Sequence, residues 1–280
     1  MYKMGYLGPS GTFTEEALLK YQEMSTDETK EYKTISEVIG AIGREVETGI
    51  VPVENSLEGS VNITLDILAR ESNLVITGEV IIPVYHHLMG IEGARIQDVR
   101  LLYSHPQAVA QCRIFIEKHL PGAEVEVTLS TAQAARLVSE RRDTFCAAIG
   151  TRRAAELYGL EIIKENIHDY DCNYTRFIVL SLNQINQPSG RDKTSLVFGI
   201  KDGPGALYQV LKEFALRNLN LTRIESRPSK RNFGDYLFFV DLQGHLNDSG
   251  VKETLEAVGE NTVFLRVLGS YPEAEMPLKQ

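Results

Sequence analysis

For its first 180 residues the chain alternates short apolar runs with stretches of helical periodicity, which is how the βα units of a mainly parallel sheet show in a sequence. A strand begins at Lys3 to Leu7. Phe13, Ala17, Leu18 and Tyr21 then recur at helical spacing, as do Val38, Ile39, Ile42 and Val46, ahead of the apolar strand Gly49 to Val53. Val61, Leu65 and Leu68 mark another helix. Leu74 to Val84 is long and β-rich, contains Gly78 and Pro83, and reads as a strand crossing from one lobe to another. A second βα series follows in VRLLYS, a helix from Pro106, EVEVTL, a helix from Thr131, and FCAAIG. Leu160 to Ile163 and Thr175 to Leu180 return the chain. The pattern predicts an α/β domain over 1–183 with two lobes, the second at about 80–160, and a ligand cleft between them.

NQINQPSGRDK is polar and carries Pro188 and Gly190, which is linker chemistry at 184–193. Residues 194–280 then order themselves strand, helix, strand, strand, helix, strand. That βαββαβ succession predicts a ferredoxin-like α+β domain, a four-stranded antiparallel sheet with two helices on one face. Its open face needs a partner, so a homodimer or homotetramer is expected.

A formal net charge of -9 argues against binding a nucleic-acid backbone, which calls for a basic surplus. The one dense basic run, Arg223, Arg227, Lys230 and Arg231, is broken by Glu225 and reads as a solvated surface. Cys112, Cys146 and Cys172 show neither Cys-x-x-Cys nor His spacing, which fits a reducing compartment without structural zinc. No secretory signal pattern opens the chain and no run reaches the roughly 18 apolar residues of a membrane span, so a cytoplasmic protein with no membrane partner is expected.

Four segments place polar side chains where chemistry could occur. GPSGTFTEEA sets Thr12 at a strand-to-helix junction, where free amides bind anions or where Glu15 and Glu16 simply complement the helix dipole. VPVENSLEGSV brings Asn55 and Ser56 to the carboxyl end of a strand, as a ligand contact or as turn chemistry. TLSTAQAA sets Ser130 and Thr131 at another helix start, where N-capping is the rival explanation. NYTRFIVL carries Thr175 and Arg176, donors suited to an oxygen-rich or anionic substrate, although on a regular strand Arg176 faces away from Thr175 and could brace the lobe instead. His86 and His87 point to opposite faces if extended and cannot readily share a metal, and His105 either lines the cleft or caps a helix. No metal site is expected.

Taken in order, GPSGTFTEEA, VPVENSLEGSV, YSHPQA, STAQAA and NYTRFIVL resemble the monofunctional prephenate dehydratases, and DGPGAL with ESRP resembles the ACT regulatory domain that follows their catalytic domain. The resemblance implies a bilobal periplasmic-binding-protein-like (type II) catalytic fold and a hydro-lyase, a carbon–oxygen lyase, that converts prephenate to phenylpyruvate in phenylalanine synthesis under feedback by L-phenylalanine. It implies no cofactor. It makes Thr175 the catalytic hydroxyl, with Asn55, Ser56, Ser130, Thr131, Thr12 and Arg176 around the substrate and Gly205, Ala206, Leu207, Glu225 and Ser226 around the effector. GALY, with Tyr208, departs from the family's common GALV.

Overall fold

The computed structural model describes residues 2–21, 28–71, 73–182, 186–229 and 236–277. Lys230 and Arg231 of the basic run, and residues 183–185 at the start of the expected linker, lie outside the described residues.

In chain order the elements are β1 (Tyr2–Leu7), α1 (Phe13–Tyr21), β2 (Thr29–Tyr32), α2 (Ile35–Ala41), β3 (Val46–Asn55), β4 (Gly59–Ser60), α3 (Asn62–Arg70) and β5 (Leu74–Pro83). Then come β6 (His87–Gly90), β7 (Leu101–Ser104), α4 (Pro106–Gln111), α5 (Arg113–His119), β8 (Glu124–Val127), α6 (Thr131–Arg141), β9 (Cys146–Gly150), α7 (Arg152–Tyr158), β10 (Glu161–Lys164) and β11 (Tyr174–Leu182). The last set is β12 (Asp192–Gly199), α8 (Ala206–Leu216), β13 (Leu221–Pro228), β14 (Tyr236–Gln243), α9 (Ser249–Glu260) and β15 (Phe264–Pro272).

Three sheets result. The first runs β2-β1-β3-β11-β5, with β4 on β3; the second runs β10-β6-β9-β7-β8; the third runs β13-β14-β12-β15. This is the bilobal type II α/β fold followed by the βαββαβ module. The second sheet is mixed rather than parallel, because β6 pairs antiparallel with both β10 and β9. The short strands β2 and β6 escaped the periodicity, since TKEY holds no apolar run and HLMG is buried along its whole length and does not alternate. The helix expected from Pro106 breaks into α4 and α5 at Cys112, whose φ of -119° and ψ of 20° leave the helical region.

By contacts the chain divides into two compact units, Met1–Thr64 with Val80–Phe177 and Met276–Gln280, and Leu65–Glu79 with Ile178–Glu275. In the first unit Met89, Tyr103, Ala134, Ala135, Val138 and Ala148 form one apolar core under α6 and α7. In the second unit Leu196, Phe198, Val210, Phe214, Val240 and Val258 fill the space between sheet and helices.

The opposite face of that third sheet is not left for a partner as the sequence suggested. Lys193, buried on β12, pairs with the fully buried Glu79 at 2.7 Å, Arg227 pairs with Asp66 at 3.0 Å, and Arg266 donates to the Leu68 carbonyl. Residues Leu65–Glu79 of the same unit therefore cover it. A pattern of local periodicity holds no record of such a distant return. β12 also starts at Asp192, inside the expected linker, because its carboxylate closes a turn by accepting from the amides of Ser189 and Gly190 at 2.8 and 3.1 Å.

Candidate active site

The site grows from the end of β3, the start of β11 and the helix that begins at Pro106. Asn55 is the last residue of β3, and its side chain makes a turn of the next three residues: Oδ1 accepts from the amides of Leu57 and Glu58, both at 3.0 Å. Backbone N–H groups cannot reverse their polarity, so they fix the orientation of this amide. Its Nδ2 must face the other way. There it donates to Asn173 Oδ1 and Thr175 Oγ1 at 2.9 Å and to the Tyr174 carbonyl at 3.2 Å.

Every further polarity follows from that one. Asn173 accepts through Oδ1, so its Nδ2 turns to Gln111 Oε1 at 2.9 Å. Gln111 then directs Nε2 to Glu58 Oε1 at 3.3 Å, and its Oε1 also accepts from His86 Nε2 at 3.0 Å. His86 must therefore be the Nε2–H tautomer. Burial holds its pKa down at about 4, which keeps the ring neutral. Asn173, Gln111 and His86 are all buried, and the Phe13 and His86 rings meet at near right angles, their centroids 5.5 Å apart.

The chain of hydrogen bonds ends on a half-buried threonine. Because Asn55 occupies a lone pair of Thr175 Oγ, the hydroxyl hydrogen is left to point elsewhere. What the arrangement offers is a neutral donor.

Ser56 braces the same turn, donating to the Cys172 carbonyl at 3.0 Å and accepting from the Tyr174 amide at 2.9 Å. Arg176 lies with Glu54, Nη1 to Oε2 at 3.8 Å, one residue along both strands from the Asn55–Thr175 pair and hence on the other face. Ser130 caps α6, accepting from the Gln133 amide at 3.0 Å while its own hydrogen remains to donate, and Thr131 is buried in the first turn. Thr151 caps α7 and donates to the Gly11 carbonyl at 2.8 Å. Gly11 has φ of 88°, and a Cβ there would stand 3.2 Å from Ala154 Cα, so only glycine brings this loop against α6 and α7.

Two amides of that loop are already taken, Ser10 N by Glu31 at 3.1 Å and Gly11 N by Glu15 at 2.6 Å, and Arg153 compensates the buried Glu15 at 3.3 Å. Thr12 donates to the Leu7 carbonyl at 3.5 Å. Beside them burial, with the neighbouring Glu15 adding to it, raises the Glu16 carboxyl to about 7. His105 caps α4 by accepting from the Gln107 amide at 3.3 Å. His87 lies apart from His86's partners and accepts from the Asn166 amide at 3.2 Å, and no cluster of three metal-ligating side chains occurs among the described residues.

In the second unit Gly205 caps α8 in the left-handed region with φ of 76°, so Ala206 and Leu207 open that helix. Ser226 pairs across β14 with Phe238, on the helix-bearing face of the sheet, whereas Glu225 pairs with Phe239 on the opposite face and is held by Arg223 and Arg227. The five expected effector residues thus divide between two faces.

Sequence reasoning missed Gln111, Asn173, His86 as a polar partner, and Glu58. Asn173 stood in the stretch NYTRFIVL without a role, and a glutamine inside the short apolar run AVAQC was the only other signal.

Comparison with known proteins fits this geometry. The family model described as Prephenate dehydratase matches residues 4–185 and that described as ACT domain matches residues 194–260. The chain is 42% identical to the prephenate dehydratase of Methanocaldococcus jannaschii, over 95% of this chain and 97% of the relative. Among solved structures, prephenate dehydratase from Arthrobacter aurescens in complex with L-Phe superimposes with a TM-score of 0.88 at 35% identity, covering 97% of this chain and 90% of that one. GqqA, described as a novel type of quorum quenching acylase, superimposes at 0.86 with 32% identity, covering 96% and 97%.

Proposed function

The chain belongs to the prephenate dehydratase family, and from that premise we propose how its cleft works. It is a lyase that converts prephenate to phenylpyruvate with loss of water and carbon dioxide, in phenylalanine synthesis, under feedback by L-phenylalanine through the ACT domain.

Prephenate carries two carboxylates and a ring hydroxyl. When the ring carboxylate leaves as carbon dioxide, the electrons of its bond become ring π electrons and expel the hydroxyl on the far side of the ring as hydroxide, which takes a proton from solvent to become water. Aromatisation supplies the driving force, so the protein need only assist the leaving oxygen. Thr175 donates a hydrogen bond to that oxygen as negative charge grows on it. The observation that carries this reading is the Asn55 donation to Thr175 Oγ, which leaves the hydroxyl hydrogen for the substrate. A preorganised donor of this kind contributes roughly 3 to 4 kcal/mol to the transition state. No cofactor enters.

Ser130, Thr131, Ser56 and Thr12 border the substrate in this proposal, with the pyruvyl carboxylate resting on the start of α6, while Arg176 supports the strand through Glu54. An acylase chemistry like that named for GqqA would need an activated nucleophile, and a hydroxyl whose oxygen accepts from an amide is made less nucleophilic, not more.

Gly205, Ala206, Leu207 and Ser226 receive L-phenylalanine on the helix side of the third sheet, with Glu225 acting through its arginines. The assembly is a homodimer or homotetramer of a cytoplasmic protein. Support comes from exposed Tyr208 and Leu216 on α8 and exposed Ile224 on the edge strand β13. Incubating the protein with prephenate and following phenylpyruvate, with and without L-phenylalanine, tests the reading; no phenylpyruvate formed would overturn it.

A further inference from the structure

On the face of the third sheet away from α8 and α9, the second unit holds a cavity of about 920 Å³, within the range of small-molecule sites. One side is α3, through Asp66, Ala69 and Arg70, and the other is the sheet and the loop after β12. Its lining is uneven in charge: Arg70, Lys201, Arg227 and Arg266 face Asp66 and Asp202, an excess of two positive charges in a protein that is acidic overall. Asp66 already serves Arg227.

Arg266 is the telling residue. Its guanidinium gives one nitrogen to the Leu68 carbonyl and feels the charge of Glu71, while its Nε is buried and meets no hydrogen-bond acceptor. A buried donor without a partner in a roomy, basic cavity marks the place of an anion. The rest of the wall is apolar and aromatic, with Phe239 buried and Tyr236 and Phe264 half exposed. Phe264 lies so close to β12 that a Cβ on Gly199 would stand 2.6 Å from its ring, so glycine there lets the ring form part of the wall.

We propose that this cavity binds an aromatic monocarboxylate lacking an amino group, its carboxylate on Arg266 and its ring against Phe239 and Phe264. Arylpyruvates belong to that class, and the product of the reaction above is one, which would make the cavity a product-sensing site. The ammonium of an amino acid would add to the positive excess and is disfavoured. None of the five expected effector residues lines it: Gly205, Ala206, Leu207 and Ser226 are on the helix side of the sheet, and Glu225, on the cavity's face, reaches it only through Arg227. It also has a mechanical route to the chemistry: α3 starts seven residues after Asn55, and both Asp66 and Leu68, which the sheet arginines hold, are on it.

The test is calorimetric titration of the full chain with 3-phenylpropionate, a readout independent of catalysis at Thr175. Binding is expected for the parent protein, to persist in Thr175→Ala, and to weaken about tenfold in Arg266→Gln, as befits a lost charge-assisted contact. Lys201 is exposed, so Lys201→Glu keeps the fold and should also weaken binding several-fold, even if Arg266→Gln fails to fold. Absence of binding to the parent protein overturns the proposal, as does binding unchanged by Lys201→Glu. L-phenylalanine binding tighter than 3-phenylpropionate and lost in Lys201→Glu overturns the assignment of ligand class.

Discussion

At the scale of single residues, the polarity of one amide decides the chemistry. Asn55→Asp replaces the donor to Thr175 by a carboxylate that must accept, so the hydroxyl hydrogen turns inward and the substrate loses it. This variant should lose about as much kcat as Thr175→Ala, roughly 10² to 10³, with KM changing far less. Steady-state kinetics decide it, and an Asn55→Asp enzyme of near-normal kcat would show that the hydrogen-bond direction is immaterial. His86 is tied to the same chain and to pH. Its folded pKa of about 4 lies below the ordinary 6.5, so the unfolded chain takes up the proton first, and stability present above pH 6.5 is lost as pH falls towards 4. Glu16, raised to about 7, works in the opposite direction over the same range, so the whole-protein profile blurs the effect. Comparison with His86→Gln isolates it: between pH 7 and 5 the parent should lose roughly 2 kcal/mol relative to the variant, read from urea midpoints. Thr175 and Asn55 were legible because each stands in a short polar break between apolar runs. Gln111 and Asn173 were not, because they meet only through contacts spanning 62 and 118 residues.

At the scale of elements, helix starts hold the cleft together, and Gly11 is the joint between them. Gly11→Ala adds left-handed strain and a methyl group against Ala154, so a loss of about 1–3 kcal/mol is expected. Gly159, which ends α7 with φ of 64° and open space around its Cβ position, carries the strain without the contact. Gly159→Ala should therefore cost less. Thermal melts of the two variants separate the effects, and equal shifts would mean that the contact with α7 carries no weight. The long helices and strands were readable from periodicity, together with the cap at Ser130 and the first-turn proline Pro106. What escaped were β2, β6 and α7, each of seven residues or fewer, where a hydrophobic period barely completes.

At the scale of the whole molecule, the sequence reads as a catalytic stretch, a linker and a regulatory module, yet the second compact unit also takes in Leu65–Glu79 from far upstream. The buried pair Lys193–Glu79 fastens that return. Lys193→Met strands a buried carboxylate and should cost about 3–5 kcal/mol, whereas Lys193→Met combined with Glu79→Leu should recover most of it. Denaturant midpoints of the three proteins check this; a single variant as stable as the parent would show the pair to be dispensable. Removing everything after Pro188 likewise takes away Lys193 and the Ala274 amide that also serves Glu79, so such a truncation perturbs stability together with feedback. The order of strands and helices was legible; the segment that covers the third sheet was not, because nothing local to Leu65–Glu79 distinguishes it from an ordinary helix and strand.

The turn after β3 also governs how the protein ages. Asn55 is followed by serine, a small residue that lets an asparagine side chain cyclise onto the next nitrogen and hydrolyse to isoaspartate or aspartate. While the turn is closed, that nitrogen's hydrogen is held by the Tyr174 carbonyl at 2.9 Å and the side-chain amide is clamped at both ends, so the ring cannot form. Deamidation is thereby disfavoured while the turn is closed, and a molecule that refolds with aspartate at this position returns with the hydroxyl of Thr175 pointing the wrong way.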